Sequence, residues 1–444
     1  MANFKKHIVS GMKKLFQKII ALLLPCFFIT GTGAQSKQNT LHQLNDLLIN
    51  TVMDDLFTPP VAARIYVYPQ IAFYECIRHD DPLLPLLAGK LNGLKKLPPP
   101  PMPNDNFVSA SVAFVLVSQN LVGSEYKIEE WRSRFADSVQ HTMEAAVYKN
   151  AYEYGKLVAD SIIAWSKNDN YLKTRGMPRF TASGKPGAWQ PTPNDYAPGL
   201  EPHWNKLRPM LMKTASQFSP KEKLLYSASK QSAFYKNILE VYRISKNLDS
   251  TKKNIALYWD DNPNSSVIEG HLTYFVHKIS PGGHWLKIAG QACRQKNISL
   301  GKTAQAYTFA AIAIYEAFIS CWDEKYKTDL IRPVTVINNF LDADWRPLIQ
   351  TPPFPEFTSG HSVTSNAAAE VLTTLLGNNF SFTDETENPF GLKPRTFTSF
   401  YAAAEESSVS RVYGGIHYPA TARISVQQGR QIGRFVIQSL YKPM

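Results

Sequence analysis

The chain has 444 residues, of which 44% are hydrophobic, 12% aromatic and 19% charged. That balance excludes a disordered chain, a collagen-like repeat and a disulfide-dense miniprotein. Lys and Arg number 48 against 36 Asp and Glu, a formal charge of +12. Five of these lysines (Lys5, Lys6, Lys13, Lys14 and Lys18) crowd one short leader, and taking them away leaves +7. Such an excess favours anionic ligands and falls short of a nucleic-acid binder's footprint.

The leader comes first. Met1–Lys18 is basic and free of acids, Ile19–Ile29 is an apolar run broken by Pro25, and small residues follow at Gly31-Thr32-Gly33-Ala34. This is the order of a secretory signal peptide. The apolar run is shorter than the about 20 residues that span a bilayer, and no later segment is long and apolar enough, so no integral membrane protein is expected. Leu24-Pro25 before Cys26 argues against a lipoprotein cysteine. Residues 1–34 are therefore predicted to be removed after Ala34, leaving an exported, periplasmic or secreted chain with 35–444 as one domain. Cys76, Cys293 and Cys321 remain, an odd count that defines no disulfide framework. Without CxxC or HExxH, no structural zinc site is expected.

Helical periodicity dominates the rest. Helices are predicted over Leu41–Asp55, Ala62–Ile77, Phe107–Leu121, Ile128–Ser166, Pro220–Ile244, Gly301–Lys325, Ser362–Leu376, Thr398–Arg411 and Pro419–Leu440. Alternating runs and hairpin dipeptides are sparse. The fold class is accordingly all-α, with helices packed in bundles. Pro98–Pro103 reads as a stiff connector. The aromatic and proline-rich stretch Arg175–Pro209 reads as a long loop laid over the body.

Three segments of the C-terminal third carry unusual chemistry. The first ends a strongly apolar helix at Lys325, with Tyr307, Ala311, Ile314, Phe318 and Cys321 on the same stripe; a lysine there either snorkels to solvent or meets an anion. Arg332 precedes Pro333, which drives it out of helical conformation and lets it point back. The second, Pro352 to Ser362, delivers Ser359-Gly360-His361 to a helix N-terminus, where free amides and the positive end of the dipole favour an anion. The third is Ser410-Arg411, with Arg411 on an inward stripe, followed by a glycine turn to His417 just before Pro419 opens a helix. Singly, each has an ordinary explanation: an N-cap serine, a paired arginine, a satisfied histidine. Together they bring three cations near one another, an arrangement that needs a multiply charged anion. Guanidinium forks match the oxygens of a tetrahedral ion such as vanadate or phosphate.

Lys325-x6-Arg332-Pro333, Ser359-Gly360-His361 and Ser410-Arg411-x3-Gly415-x-His417, in that order, resemble the three-part signature of the vanadium-dependent haloperoxidase and type 2 phosphatidic acid phosphatase (PAP2) superfamily. Trp322 and Phe354 are similar to the chloroperoxidase branch, and Trp189–Pro193 with Glu201–Trp204 to exported bacterial members. The resemblance implies two four-helix bundles of the chloroperoxidase/PAP2 type, an active site built from residues 322–421, and a vanadate cofactor whose site phosphate also fits. It implies oxidation of halide by hydrogen peroxide to hypohalous acid. His417 would ligate vanadium; Lys325, Arg332, Ser359, Gly360 and Arg411 would hold the vanadate oxygens; His361 would be the acid–base group. Lys325 would help make the peroxide electrophilic.

One departure stands out. The family usually has an aspartate four residues after its ligand histidine, and here that position is Thr421. Glu405 and Glu406 are the replacements considered. Tyr258-Trp259-Asp260-Asp261 is similar to a segment whose aspartate pairs with an active-site arginine, with the choice between Asp260 and Asp261 open. Phe354 resembles the chloride-competent branch, while Pro355–His361 resembles bacterial members, some restricted to iodide. Iodide, the easiest halide to oxidise, is expected first and bromide second. Two alternatives use the same cage: a PAP2-type acid phosphatase acting through a phosphohistidine at His417 with His361 as proton donor, and a non-catalytic oxyanion-binding protein. Loss of an orienting carboxylate harms a nucleophile more than a metal-held ligand, which favours the haloperoxidase. Any organic acceptor of the oxidised halide and the oligomeric state leave no mark in the sequence.

Overall fold

Stretches rich in alanine or apolar on one face, set between capping residues, become the helices of this chain. The computed structural model describes residues 33–263, 265–269 and 271–441. The helices are α1 Gly33–Asp54, α2 Pro59–Ile77, α3 Asn106–Leu121, α4 Glu125–Gln140, α5 Ala145–Ser166, α6 Tyr171–Arg175, α7 Ala233–Lys246, α8 Ser250–Tyr258, α9 Pro281–Lys296, α10 Leu300–Thr328, α11 Pro333–Phe340, α12 Gly360–Leu376, α13 Phe400–Tyr413 and α14 Pro419–Tyr441. The strands are short antiparallel pairs: β1 Ser266–Glu269 with β2 Leu272–Phe275, and β3 Phe382–Asp384 with β4 Arg395–Phe397. The architecture is predominantly helical, as the periodicity requires. Apart from Gly33 and Ala34, which open α1, the leader over 1–34 lies outside the described residues. Among the described residues no helix is long and apolar enough to cross a membrane.

From Gln38 onward the described chain packs as one unit around α10. Ser299 caps that helix by accepting the Lys302 amide, and Asp329 ends it in the left-handed region at φ 48°. Every residue from Thr303 to Lys325 is buried, because α2 and α9 cover one part of α10 and α12 and α14 another. The last of these covers by close approach. A Cβ on Gly429 would lie 2.3 Å from the Val363 carbonyl oxygen, and one on Gly433 2.6 Å from that of Ala367. Small residues at those two positions let α14 seat against α12, whose N-terminus carries Ser359 and His361.

Three differences from the sequence reading have physical causes. The helix expected over Ile128–Ser166 breaks between Gln140 and Ala145, where the intervening residues are mostly polar. The one expected over Pro220–Ile244 begins only at Ala233, capped by Ser232; upstream, Leu224 is buried but its neighbour Leu225 is exposed, too little for a helical stripe. Helix α9, absent from the reading, begins Pro281-Gly282-Gly283, glycines that weaken helical propensity. Burial of Trp285, Ile288, Ala289 and Ala292 on one face overrides it. Cys76, Cys293 and Cys321 are buried free thiols.

Candidate active site

The three sequence segments converge. Lys325, at the end of α10, is fully buried, and its Nζ donates to the carbonyls of Pro355 (2.9 Å) and Glu356 (3.1 Å). The ammonium lies 4.8 Å from the centroid of the Phe354 ring, with the Trp322 ring 5.7 Å away. Arg332 is the extended N-cap of α11, as its place before proline requires. Its Nε donates to the Phe354 carbonyl at 2.9 Å and its Nη1 to that of Ile416 at 2.9 Å, which leaves Nη1 3.3 Å from Nε2 of His417. Ser359 caps α12, and Gly360 and His361 form its first turn. Arg411, on α13, points Nη1 at Nε2 of His361, 3.0 Å away.

Of these groups Gly360, His361, Arg411 and His417 line a small cleft; Arg332 meets it through His417, and Lys325 sits behind the Phe354 ring that walls it. His361, Arg411, His417, Asp260, Asp261 and Asn262 are the polar lining of the cleft, and Trp322, Phe354, Phe318 and Pro352 its apolar lining. Arg332 Nη2 and both Nε and Nη2 of Arg411 are buried with no protein partner. Burial, foremost, and neighbouring charge push the cations toward neutrality: Lys325 falls to about 7 and Arg332 to about 10, while Arg411 is lowered by burial against the pull of Asp260 and Asp261. His361 and His417 are held well below the usual imidazole value, first by burial and then by the adjacent arginines. Both imidazoles are therefore neutral near pH 7.

The carboxylate missing at position 421 is supplied from elsewhere. Glu356, fully buried, accepts His417 Nδ1–H at 2.7 Å and the Tyr418 amide at 3.0 Å on Oε1, and the Thr421 hydroxyl at 2.8 Å on Oε2. Burial raises it to about 7 against the opposing pull of Arg332. Glu405 and Glu406 do not fill this role: Glu405 pairs with Arg430, and Glu406 with Arg395 and the Trp259 indole. Sequence reasoning missed Glu356, although an acid amid prolines and aromatics three residues before Ser359 was a usable signal.

Beside Arg411 and His361 lies an acidic cluster, of which Asp260 and Asp261 line the same cleft. Asp261 accepts from His284 Nδ1 at 3.0 Å, Asp384 from His284 Nε2 at 2.8 Å, and Glu387 Oε1 lies 3.7 Å from the same ring. Asp261 Oδ2 is 3.8 Å from His361 Nε2, and Asp260 pairs with Lys278. Both aspartates thus act on Arg411 through space, and their own partners are His284 and Lys278. His284 and Asp384 had drawn no attention in the sequence. Carboxylates repel an oxyanion, so this cluster flanks the cationic cage and cannot itself hold the anion.

Residues 305–444 match the family described as the second helical-bundle domain of VCPO. No curated protein matches the chain. Among solved structures, one described as the first bacterial vanadium-dependent iodoperoxidase is 44% identical, with a TM-score of 0.86, over 91% of this chain and 96% of its own. The chain belongs to the bacterial vanadium-dependent haloperoxidases. Holo and apo forms of a bacterial vanadium-dependent chloroperoxidase, each 16% identical over 87% of this chain, share the fold at TM-scores of 0.67 and 0.61. Membership of the haloperoxidases implies a vanadate cofactor, and the residues fit it. Three buried basic side chains, three guanidinium nitrogens lacking protein partners and the His417 imidazole beside Arg332 match the needs of a tetrahedral oxyanion.

Proposed function

We propose that this protein is a vanadate-dependent haloperoxidase, oxidising halide with hydrogen peroxide: X⁻ + H2O2 + H⁺ → HOX + H2O. One observation carries the reading. Buried Arg411 lines a cleft with two neutral imidazoles, buried Arg332 and Lys325 stand against His417 and Phe354 on its wall, and the two arginines keep donors to spare. Bound vanadate supplies a Lewis acid that withdraws electrons from peroxide. His417 would be its ligand through Nε2, and Lys325, Arg332, Arg411, Ser359 and the Gly360 amide would hold its oxygens. Fixed donors of this kind stabilise developing charge without reorganisation. His361, neutral and lining the cleft, would accept a proton from peroxide at Nε2, in exchange for its contact with Arg411 Nη1, and return one to the departing oxygen. The apolar wall of Trp322 and Phe354 gives a weakly hydrated halide a dry approach.

Iodide is the preferred halide on this reading, supported by the 44% identical iodoperoxidase, and bromide the second. The two four-helix bundles, a single domain over 35–444 with its site in 322–421, and export after loss of residues 1–34 belong to the same proposal. The test runs two assays in parallel. Chain 35–444 loaded with orthovanadate is given peroxide and iodide or bromide, and vanadate-free chain is given a chromogenic phosphate monoester. Halide turnover that vanishes in His417→Ala is expected; ester hydrolysis without halide turnover would identify a phosphatase.

A further inference from the structure

Glu356 touches all three cage segments. Its amide donates to the Leu330 carbonyl at 2.9 Å, tying the loop to the turn between α10 and α11. Its own carbonyl and that of Pro355 receive the Lys325 ammonium. Its side chain runs the other way, to His417, the Tyr418 amide and Thr421 on the third segment. Glu356 Oε1 already accepts the Tyr418 amide and Oε2 the Thr421 hydroxyl, an acceptor pattern that the 2.7 Å contact completes with the imidazole proton of His417 on Nδ1. Nε2 is left as the lone-pair nitrogen, with Arg332 Nη1 3.3 Å away.

We infer that Glu356 is a positioning residue that sets the tautomer and ring orientation of His417 and, through its main chain, the place of Lys325. It works with Thr421, whose hydroxyl anchors the second carboxylate oxygen. The inference rests on the cage being an oxyanion site, and it names the residue that keeps the site's parts in register. A simpler role, a buried counter-charge to Arg332 and Lys325, makes the opposite forecast. Removing a counter-charge leaves the cage more positive and tightens anion binding, whereas removing a positioning group frees the imidazole and weakens it.

The experiment compares chain 35–444 with Glu356→Ala, Glu356→Gln and the double variant Glu356→Ala/Thr421→Asp, which moves the carboxylate to one helical turn after His417. Proton–nitrogen spectra of vanadate-free protein should show a downfield His417 Nδ1–H in the wild type, absent in Glu356→Ala and back in the double variant. Orthovanadate affinity, read by calorimetry, should fall about ten- to hundredfold in Glu356→Ala and recover in the double variant. If Glu356→Ala does not fold, Glu356→Gln, which keeps the shape and one acceptor, should fold and bind vanadate more weakly than wild type. Affinity unchanged or tighter in the foldable variants, or an unaltered Nδ1–H signal in Glu356→Ala, overturns the inference. The spectra need no vanadate. A wild type that binds vanadate yet oxidises no halide would refute the haloperoxidase reading and leave Glu356 as assigned.

Discussion

Two regions of this molecule bury arginine, and they do so to opposite ends. On α2, Arg64 donates from Nε to Asp169 at 2.6 Å and from Nη2 to the Ser166 carbonyl at 3.3 Å, and its guanidinium lies 4.4 Å from the Tyr171 ring centroid. Burial pulls its pKa down, but Asp169 with Tyr68 and Tyr315 outweighs it and the net shift is upward. In the C-terminal cage Arg332 and Arg411 are as deeply buried, yet both shifts run downward and three of their nitrogens lack protein partners. The first arrangement is closed: a carboxylate and a carbonyl take the guanidinium, and none of its nitrogens is left buried without a partner. The second is open, and an open set of buried cations is stable only when something from outside completes it. The acidic cluster around His284 is nearer the closed kind, since both ring nitrogens face carboxylates.

Substitution should separate the two kinds sharply. Arg64→Ala strands the Asp169 carboxylate and should cost about 3–5 kcal/mol of stability in urea unfolding. The folded fraction should keep its vanadate affinity. Arg411→Met should act with the opposite sign, stabilising vanadate-free protein by about 1 kcal/mol because an uncompensated charge is gone. It should also lower halide turnover about 10²–10³-fold. A destabilised Arg411→Met would mean that its charge is already satisfied, and the contrast would fail.

A gentler probe is pH. The Lys325 ammonium, lowered to about 7 by burial, is partly deprotonated in the anion-free site at neutral pH. A bound oxyanion raises it, so the complex holds more protons than the free protein above that value. Oxyanion affinity should therefore be level below about pH 7 as far as Lys325 is concerned, and should fall as pH rises beyond it. Calorimetry at pH 8 in two buffers of different ionisation enthalpy should show proton uptake on binding, diminished in Lys325→Met.

Much of this was legible in the sequence, for a reason the comparison makes plain. Lys325, Arg332, Ser359, His361, Arg411 and His417 sit at helix ends whose caps and prolines are local signals, so their convergence could be anticipated from pattern. Glu356 reaches His417 across 61 residues, and His284 meets Asp261 and Asp384 from 23 and 100 residues away. The setting of Glu356 amid prolines marks it as unusual, but nothing local announces which partner any of these residues meets. The helices behave alike: α10 and α12, periodic and capped, were readable to within a few residues. The glycine-led α9 owes its existence to tertiary burial.

The most direct test of the account is equilibrium binding of orthovanadate to chain 35–444 beside its Arg332→Ala variant, with peroxide-dependent iodide oxidation measured on the same samples. One vanadate per wild-type chain, with turnover rising in step with occupancy and both lost in Arg332→Ala, is the expected result. Iodide oxidation no faster than that of free vanadate, or binding indifferent to Arg332, would contradict it.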